Sequence, residues 1–155
     1  MSLEIKLRFR SFEYEKDIAI VCEFHKDHSA INFPDSNYVE DLFKETIKRD
    51  LLESPDGLFV LEDNKNPIGF LNLVIRNDPY KNNIKWCDVR YVHLIPEYRG
   101  RGLYKLLMAK ADEFAKIKGA VELRLGTHAE NEQSIQAYLK SGYRIKRVIM
   151  EKKFQ

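Results

Sequence analysis

Apolar and polar residues follow two different spacings in the first third of the chain. Residues 5–9 alternate between apolar and basic side chains, which is typical of a half-buried strand. Residues 17–25 and 42–51 carry apolar side chains at helical spacing and predict two amphipathic helices. Asn37 and Glu40 stand three residues apart just before the second segment, so we expect a capping box at its start.

The middle of the chain predicts a hairpin followed by a long strand. Residues 58–62 and 68–75 are rich in β-favouring side chains, and the polar residues 63–66 between them predict the turn. After a polar loop, residues 84–95 form the next run of this kind. They predict a long strand.

The last third of the chain predicts a strand–helix–strand unit. The apolar stripe of residues 103–117 predicts a helix that ends at Gly119, and residues 121–125 alternate as a strand does. Because a helix connects the two strands of this unit, we expect them to be parallel and joined by a right-handed crossover. A short helix at 131–140, stopped by Gly142, precedes β-favouring residues that continue almost to the end of the chain.

Length and composition favour one ordinary globular domain. Of the 155 residues, 44% are apolar and 32% are charged, which excludes disordered and low-complexity classes. No stretch approaches the roughly 20 apolar residues that a membrane span needs, and the first residues lack the apolar core of a signal peptide. We therefore expect a single domain over residues 1–155, no membrane partner and a cytoplasmic location.

Cysteine and histidine spacing argues against a metal site. Cys22 and Cys87 lie far apart in apolar surroundings and form no C-x-x-C pair, which favours buried reduced thiols. His25 and His28 are three residues apart, but no third ligand stands at a suitable spacing. We expect no metal in this protein.

Charge is distributed unevenly along the chain. Residues 1–98 contain 18 acidic and 13 basic residues, whereas residues 99–155 contain 6 acidic and 13 basic residues. This asymmetry indicates an anionic partner for the C-terminal part, either nucleic acid or a phosphorylated small molecule, although a solvated helix face explains it equally well. We expect no nucleic acid, because this part has no RNP-like aromatic strand and no helix-turn-helix spacing.

A glycine-containing turn separates the long strand from the apolar helix. Its sequence is Leu94-Ile95-Pro96, followed after two residues by Arg99-Gly100-Arg101-Gly102-Leu103-Tyr104. The glycines permit a tight turn, and the first amides of the helix together with two arginines favour a phosphate. A plain turn with solvated arginines remains an alternative. A dinucleotide fingerprint requires a third glycine where Lys105 stands, so that class is excluded.

Two separate segments resemble motifs of the GNAT superfamily of acyl-CoA-dependent N-acetyltransferases. The turn just described resembles motif A, Arg/Gln-x-x-Gly-x-Gly/Ala, with Tyr104 standing where Gly or Ala is usual. Residues 131–143 resemble motif B, Asn-x-x-Ser/Ala-x-x-x-Tyr-x-Lys-x-Gly-Phe/Tyr. The two motifs together cover residues 84–143, and the order of the preceding elements is compatible with the family.

The resemblance implies a mixed α/β fold of the α+β type, the acyl-CoA N-acyltransferase fold. Its central mixed, mostly antiparallel sheet contains one parallel, splayed strand pair and is flanked by about four helices. It also implies acetyl-CoA as co-substrate, with its pantetheine arm between the splayed strands and the Val92 amide facing the thioester oxygen. The implied donor-binding residues are Val92, His93, Leu94, Arg99, Gly100, Arg101, Gly102, Leu103, Tyr104, Asn131, Ser134, Tyr138 and Lys140.

Three residues are candidates for catalysis. Tyr138 matches the family tyrosine that protonates the leaving thiolate, although it could equally be a packing tyrosine. Asp88, on the strand that approaches the thioester, is a candidate base, a ligand for a cationic amine, or a solvated strand residue. His93 is the alternative base, and its plainer interpretation is a histidine on the outer face of the strand.

The acceptor is less defined by the sequence. By the resemblance, Phe33, Pro34, Tyr38 and Phe43 occupy the acceptor region and favour an apolar or flat amine, although core packing explains them as well. We expect Phe33, Tyr38 and Asp88 to bind the substrate, which is a small amine, an amino acid or a protein amine. Only 13 residues follow Gly142, so a partner chain of a homodimer could close the site. The alternative function is a non-catalytic acyl-CoA sensor or interaction module.

Overall fold

The computed structural model describes residues 6–32 and 37–155 of the chain. These residues divide into two compact units, the first ending at Leu125 and the second spanning Gly126–Gln155. The described part of the first unit contains five strands and three helices, and that of the second contains one helix. No helix in these described ranges has the length and hydrophobicity needed to cross a membrane.

A five-stranded sheet in the order β1-β2-β3-β4-β5 organises the first unit. Pairing is antiparallel from β1 to β4 and parallel between β4 and β5, so the expected mixed sheet with one parallel pair is confirmed. The predicted hairpin is also confirmed, with Asn64 and Lys65 at positive φ in its turn. The strands are β1 (Leu7–Ser11), β2 (Leu58–Asp63), β3 (Asn66–Asn77), β4 (Lys85–Leu94) and β5 (Leu123–Leu125).

Helices cover both faces of this sheet. α1 (Tyr14–Asn32) and α2 (Glu40–Glu53) pack on one face, where apolar side chains such as Ile47 cluster with Phe70 of β3. α3 (Leu103–Ile117) packs on the other face, where its apolar stripe meets the remaining side chains of β2, β3 and β4. Alternate residues of each strand therefore belong to different cores, as the period-two pattern requires.

The helix ends only partly agree with the sequence predictions. The capping box expected at Asn37 is wrong, because α2 begins after Val39 and no side chain caps it. Two carboxylates in its first turn favour the helix through the macrodipole instead. At the other end of the chain, the stop at Gly119 is confirmed by a φ of 77° and a hydrogen bond from the Ala120 N–H to the Ala115 oxygen, 2.9 Å.

One irregularity in β4 determines which side chains reach which face. Asn72 of β3 lies opposite Tyr91, but the next residue, Leu73, lies opposite Val89, so Arg90 is a bulge without an opposite residue. The bulge reverses the alternation of the strand beyond it. Tyr91 packs with the α1–α2 core, whereas Val92 packs with the α3 core.

The second unit consists of α4 (Glu132–Lys140) and irregular backbone around it. The predicted start is confirmed, because the Asn131 Oδ1 accepts a hydrogen bond from the Ser134 N–H at 3.2 Å. The helix ends at Lys140 and is followed, as predicted, by Gly142, whose φ is 93°. The β-favouring residues 143–154 form no strand, since strand propensity is realised only against a partner strand.

Candidate active site

The edge of β4 beyond its bulge carries the first group of predicted donor-binding residues. Within the first unit, the pairing of β4 with β5 ends at Val89 opposite Leu125, the last residue of β5. The Ile95 N–H donates to the Ile68 oxygen of β3 at 2.9 Å. Backbone groups alternate in direction along an extended strand, and the Val92 N–H therefore points away from β3, toward the side that β5 leaves uncovered.

The turn between β4 and α3 carries the second group. Gly100 and Gly102 have φ values of 75° and 77°, and a Cβ built at either position meets no atom within 4 Å. Gly102 is the N-cap of α3, and no side chain caps the helix. The amides of Leu103 and Tyr104 in its first turn therefore have no intrahelical acceptor, and such a turn can hold an anion.

Side chains around this turn hold its backbone in place. The Arg99 Nε donates to the Leu94 oxygen at 2.8 Å, which fixes the turn to the end of β4. The Tyr98 hydroxyl donates to the Asp63 Oδ2 at 2.6 Å, and the Arg101 guanidinium lies 5.3 Å from the Tyr98 ring centroid. Tyr104 is 40% exposed, so its ring does not fill the space at the glycines.

Within the second unit, α4 carries the remaining donor-binding candidates and the candidate acid. Asn131 caps the helix on the amide of Ser134, and Lys140 is its last residue. The ring of Tyr138 packs against that of Tyr143 with 5.4 Å between centroids, while the Tyr143 N–H donates to the Tyr138 oxygen at 3.0 Å. These contacts form the hydrophobic closure of the helix end and give Tyr138 a packing role.

Asp88 lies on the α1–α2 face of β4 and is engaged in an ion pair. Its Oδ2 accepts from the Arg76 Nη2 at 3.3 Å, and Arg76 also pairs with Glu53 of α2. The side chain of Asp88 is 22% exposed. The Arg76 Nε also lies 3.4 Å from this oxygen, so the Oδ2 of Asp88 is occupied by the guanidinium.

His93 does not lie on an exposed outer face, so that interpretation of the residue is wrong. It is 5% exposed, and its ring stacks on Phe24 of α1 with 5.0 Å between centroids. Burial, together with the charge of Arg99, lowers the pKa of His93 to about 4. The Nε2 is buried without a hydrogen-bond partner among the described residues. The imidazole is therefore neutral at pH 7 and retains a nitrogen that can receive or donate a proton.

A cleft of about 230 Å³ opens on the α1–α2 face next to β4. Among the expected substrate-binding residues, Tyr38 lines it, Asp88 is absent from its described lining, and Phe33 with Pro34 lies outside the described residues. Phe43, placed in the acceptor region from sequence, also contributes. The described lining consists of His25, Ser29, Asn37, Tyr38, Val39, Leu42, Phe43, Thr46 and Tyr91.

Among the side-chain rings in the described lining of this cleft, sequence reasoning missed two. His25 was considered only as a metal ligand, yet its ring stacks on Phe43 with centroids 3.8 Å apart and 8° between planes. Tyr91 meets the His25 ring edge-on at 4.9 Å. One indication of Tyr91 was present in the sequence, its position directly before Val92. Strict alternation along β4, however, assigns the Tyr91 side chain to the α3 face of the sheet, away from this cleft. In the described ranges, no group of three or more His, Cys, Asp or Glu is arranged to hold a metal.

Comparison with known proteins gives consistent matches. The profile of the Acetyltransferase (GNAT) family matches residues 19–143. An uncharacterized N-acetyltransferase of Methanocaldococcus jannaschii is 36% identical over 110 residues, which make up 69% of this chain and 46% of that protein. The chain thus spans less than half the length of this relative. A spermidine N(1)-acetyltransferase of Thermoplasma acidophilum is 28% identical over 126 residues, covering 75% of this chain and 73% of that protein.

Solved structures match over the length of the chain. The PaiA N-acetyltransferase of Thermoplasma acidophilum, solved in complex with coenzyme A, superposes with a TM-score of 0.72. The sequences are 20% identical, and the match covers 93% of each chain. At this identity the likeness concerns the fold alone.

Proposed function

The chain belongs to the GNAT family of acetyltransferases, and on this premise we propose that it transfers an acetyl group from acetyl-CoA to a primary amine. The amine attacks the thioester directly while both substrates are bound. The proposal covers the donor and the reaction, for which the family membership and the residues of β4 and α3 give support.

The observation that carries the proposal is that two features suited to binding acetyl-CoA follow each other along the chain. The edge of β4 uncovered by β5 is followed directly by the uncapped turn at Gly100 and Gly102. The pantetheine arm of acetyl-CoA can add to the strand edge through its amides, and the pyrophosphate fits the open space at the two glycines. The positive charge of Arg99 and Arg101 at this turn favours the same ligand.

The reaction forms a nitrogen–carbon bond and breaks the carbon–sulfur bond of the thioester. Bound acetyl-CoA supplies the activated carbonyl carbon. The Val92 N–H is the proposed donor to the carbonyl oxygen, where negative charge develops. A protonated amine loses two protons from its nitrogen, one before the attack and one as the amide forms. One proton reaches the sulfur of the departing thiolate, and the other goes to solvent.

We assign the proton on nitrogen to His93. An ordinary amine with a pKa near 10 is neutral in only about one part in a thousand at pH 7, and this first proton is lost to solvent before the attack. His93 takes the second proton, which the nitrogen releases far more readily once it is bonded to the carbonyl carbon. The His93 Nε2 is unpartnered among the described residues, whereas the Oδ2 of Asp88 is bound to Arg76. Asp88 then acts as a fixed negative charge on the same face of the sheet.

We assign the proton on sulfur to the Tyr138 hydroxyl. This assignment rests on the family motif in α4, in which the ring of Tyr138 packs on that of Tyr143. An acid in this position contributes about 10²–10⁴-fold to the rate.

The experiment that tests the donor site is calorimetric titration with acetyl-CoA and desulfo-CoA. We expect micromolar binding to the wild type and its loss in Gly102→Glu, because the new carboxylate occupies the space proposed for the pyrophosphate. Gly119→Glu is the matched control, since it places the same residue at the same φ of 77° at the opposite end of α3. Gly102→Gln introduces a neutral side chain of nearly the same size at the same positive φ, so it separates the effect of the carboxylate charge from the effect of backbone strain. Equal binding by both glutamate variants overturns the proposed donor site.

A second candidate function is a non-catalytic acyl-CoA sensor. The observation that favours it is the ion pair of Asp88 with Arg76, which occupies the carboxylate expected to serve the acceptor. Binding of acetyl-CoA without thiol release on any amine supports this alternative, and thiol release excludes it.

A further inference from the structure

We propose that the acceptor is a small primary monoamine with one aromatic or branched aliphatic group, and that this group fills the cleft between α1 and α2. Polyamines and aminoglycosides are correspondingly poor acceptors. The inference rests on the proposed acetyl transfer and names the substrate class of the same site.

The space between the described lining residues suits one such group. Its volume is about 230 Å³, below the roughly 300–1,000 Å³ of pockets that hold drug-sized ligands. A single ring or a branched chain of a few carbon atoms fits this space, whereas a molecule with several sugar rings does not.

Aromatic rings make the cleft walls flat and rigid. His25 and Phe43 are stacked, and Tyr91 meets them edge-on with centroid distances of 4.9 and 5.6 Å. Tyr38 lies 5.5 Å from His25. Each ring is fixed by another, so the cleft offers preformed aromatic faces on which an apolar group packs with little loss of entropy.

The described lining of the cleft offers no anionic partner to a polycation. None of the described lining residues carries a carboxylate. The acidic residues nearby on this face of the sheet are already paired: Asp50 with Arg90 and Asp88 with Arg76. At the N-terminal end of α2, Glu40 lies 3.7 Å from Lys44. The extra ammonium groups of a polyamine would lose water here without gaining an anionic partner.

The histidine of the cleft adds no positive charge. Burial lowers the pKa of His25 to about 4, so the ring is neutral at pH 7. A neutral ring stacked on Phe43 is part of the apolar wall, and it does not repel an ammonium group.

The position of Tyr91 connects the cleft to the proposed site of acetyl transfer. Tyr91 lines the cleft, and the next residue, Val92, carries the amide proposed to bind the thioester oxygen. The bulge at Arg90 allows neighbouring residues to have these two roles. It turns the Tyr91 side chain toward α1 and α2, while the backbone of β4 continues to Val92. An amine whose apolar group fills the cleft therefore has its nitrogen near the thioester.

The first part of the test measures thiol release with acetyl-CoA and a panel of amines. The panel contains phenethylamine, 3-methylbutylamine, spermidine, kanamycin and a dipeptide with N-terminal phenylalanine. We expect kcat/KM for the two monoamines to exceed that for spermidine by about tenfold or more. Equal or better turnover of spermidine, kanamycin or the dipeptide overturns the inference and leaves the transferase proposal intact.

The second part reverses the selectivity with a variant at Leu42. Leu42 lines the cleft on α2 and is 61% exposed, so its replacement does not disturb the core. Leu42→Glu introduces a carboxylate, and we expect a fall in kcat/KM for phenethylamine and a rise for spermidine, by about tenfold or more in their ratio. Leu42→Gln is the matched neutral control and should lower phenethylamine turnover without favouring spermidine. An unchanged ratio in Leu42→Glu counts against the cleft.

Amine binding to the protein saturated with desulfo-CoA separates the two proposals. Phenethylamine should bind more tightly than spermidine, and Leu42→Glu should weaken its binding. If this pattern holds while no amine releases thiol, the transferase proposal fails and the monoamine site stands. If spermidine binds as tightly as phenethylamine, or if neither binds, the inference is wrong.

Discussion

The Nε of Arg90, the bulged residue of β4, lies 3.3 Å from the Oδ2 of Asp50 on α2. The same carboxylate oxygen accepts from the Nδ2 of Asn72 on β3 at 2.7 Å, and Asp50 is 2% exposed. One buried carboxylate thus joins both strands at the point where their register shifts. The orientation of Tyr91 and His93 depends on this shift, so Asp50 positions the cleft without lining it.

Replacing Asp50 tests this connection. Asp50→Ala leaves the Arg90 and Asn72 donors without their acceptor, and we expect the free energy of unfolding to fall by about 2–4 kcal/mol. Urea denaturation at neutral pH measures the change. Glu53→Gln, on the same helix, removes one partner of Arg76. Because the Glu53 side chain is 39% exposed, we expect the free energy of unfolding to fall by about 1 kcal/mol or less. A comparable loss in both variants contradicts the structural role of Asp50.

Asp88 and Glu53 share Arg76 as partner, so they form a matched pair for the catalytic assignment. With His93 as the proton acceptor, Asp88→Asn and Glu53→Gln should each change kcat by about threefold or less, because both only loosen the same ion pair. Steady-state thiol release with a saturating monoamine provides the measurement. A drop of about 100-fold confined to Asp88→Asn identifies Asp88 as the base instead.

Tyr138 and Tyr143 separate catalysis from packing in the same way. Tyr138→Phe keeps the ring contact but removes the hydroxyl, and we expect kcat to fall by about 10²–10³-fold with unchanged binding of desulfo-CoA. Tyr143→Phe also keeps the contact, which has 5.4 Å between ring centroids, and it should leave kcat within about threefold of the wild type. Full activity of Tyr138→Phe limits this residue to closing the helix end.

Stability should decrease as the pH falls from neutral toward 5. Burial lowers the pKa of His93 to about 4, while the unfolded chain keeps an ordinary value near 6.5. The unfolded state therefore binds more protons between these two values, so the free energy of unfolding decreases with falling pH across this window. We expect the free energy of unfolding to fall by about 2 kcal/mol between pH 7.5 and 5 because of His93, and by less because of the more exposed His25.

The slope of stability against pH is the measurement that checks this expectation. Chemical denaturation of His93→Gln should show a weaker pH dependence than the wild type, whatever its stability at neutral pH. Hydrogen bonds from Arg10 lower the pKa of Glu62, so that carboxylate loses its contribution only below about pH 4, outside this window. A slope unchanged in His93→Gln rules out the histidine as its origin.

Local features of the chain were largely predictable from the sequence. The Asn64–Lys65 turn, the end of α3 at Gly119 and the start of α4 at Asn131 depend on neighbouring residues alone, and all three were confirmed. The start of α2 was not predictable from the Asn37 and Glu40 spacing, because first-turn carboxylates stabilise a helix that has no capping side chain.

The sequence by itself determined the family, the order of the elements and the turn that favours a phosphate, since each depends on residues close together in the chain. Only the tertiary structure decided which side chains form the cleft. Strict alternation places Tyr91 on the α3 face with Val89, and the bulge at Arg90 reverses this. The bulge is held by Asp50, 40 residues away in sequence from Arg90. A contact of that separation exists only once the helix has packed on the sheet, so no local pattern could indicate it.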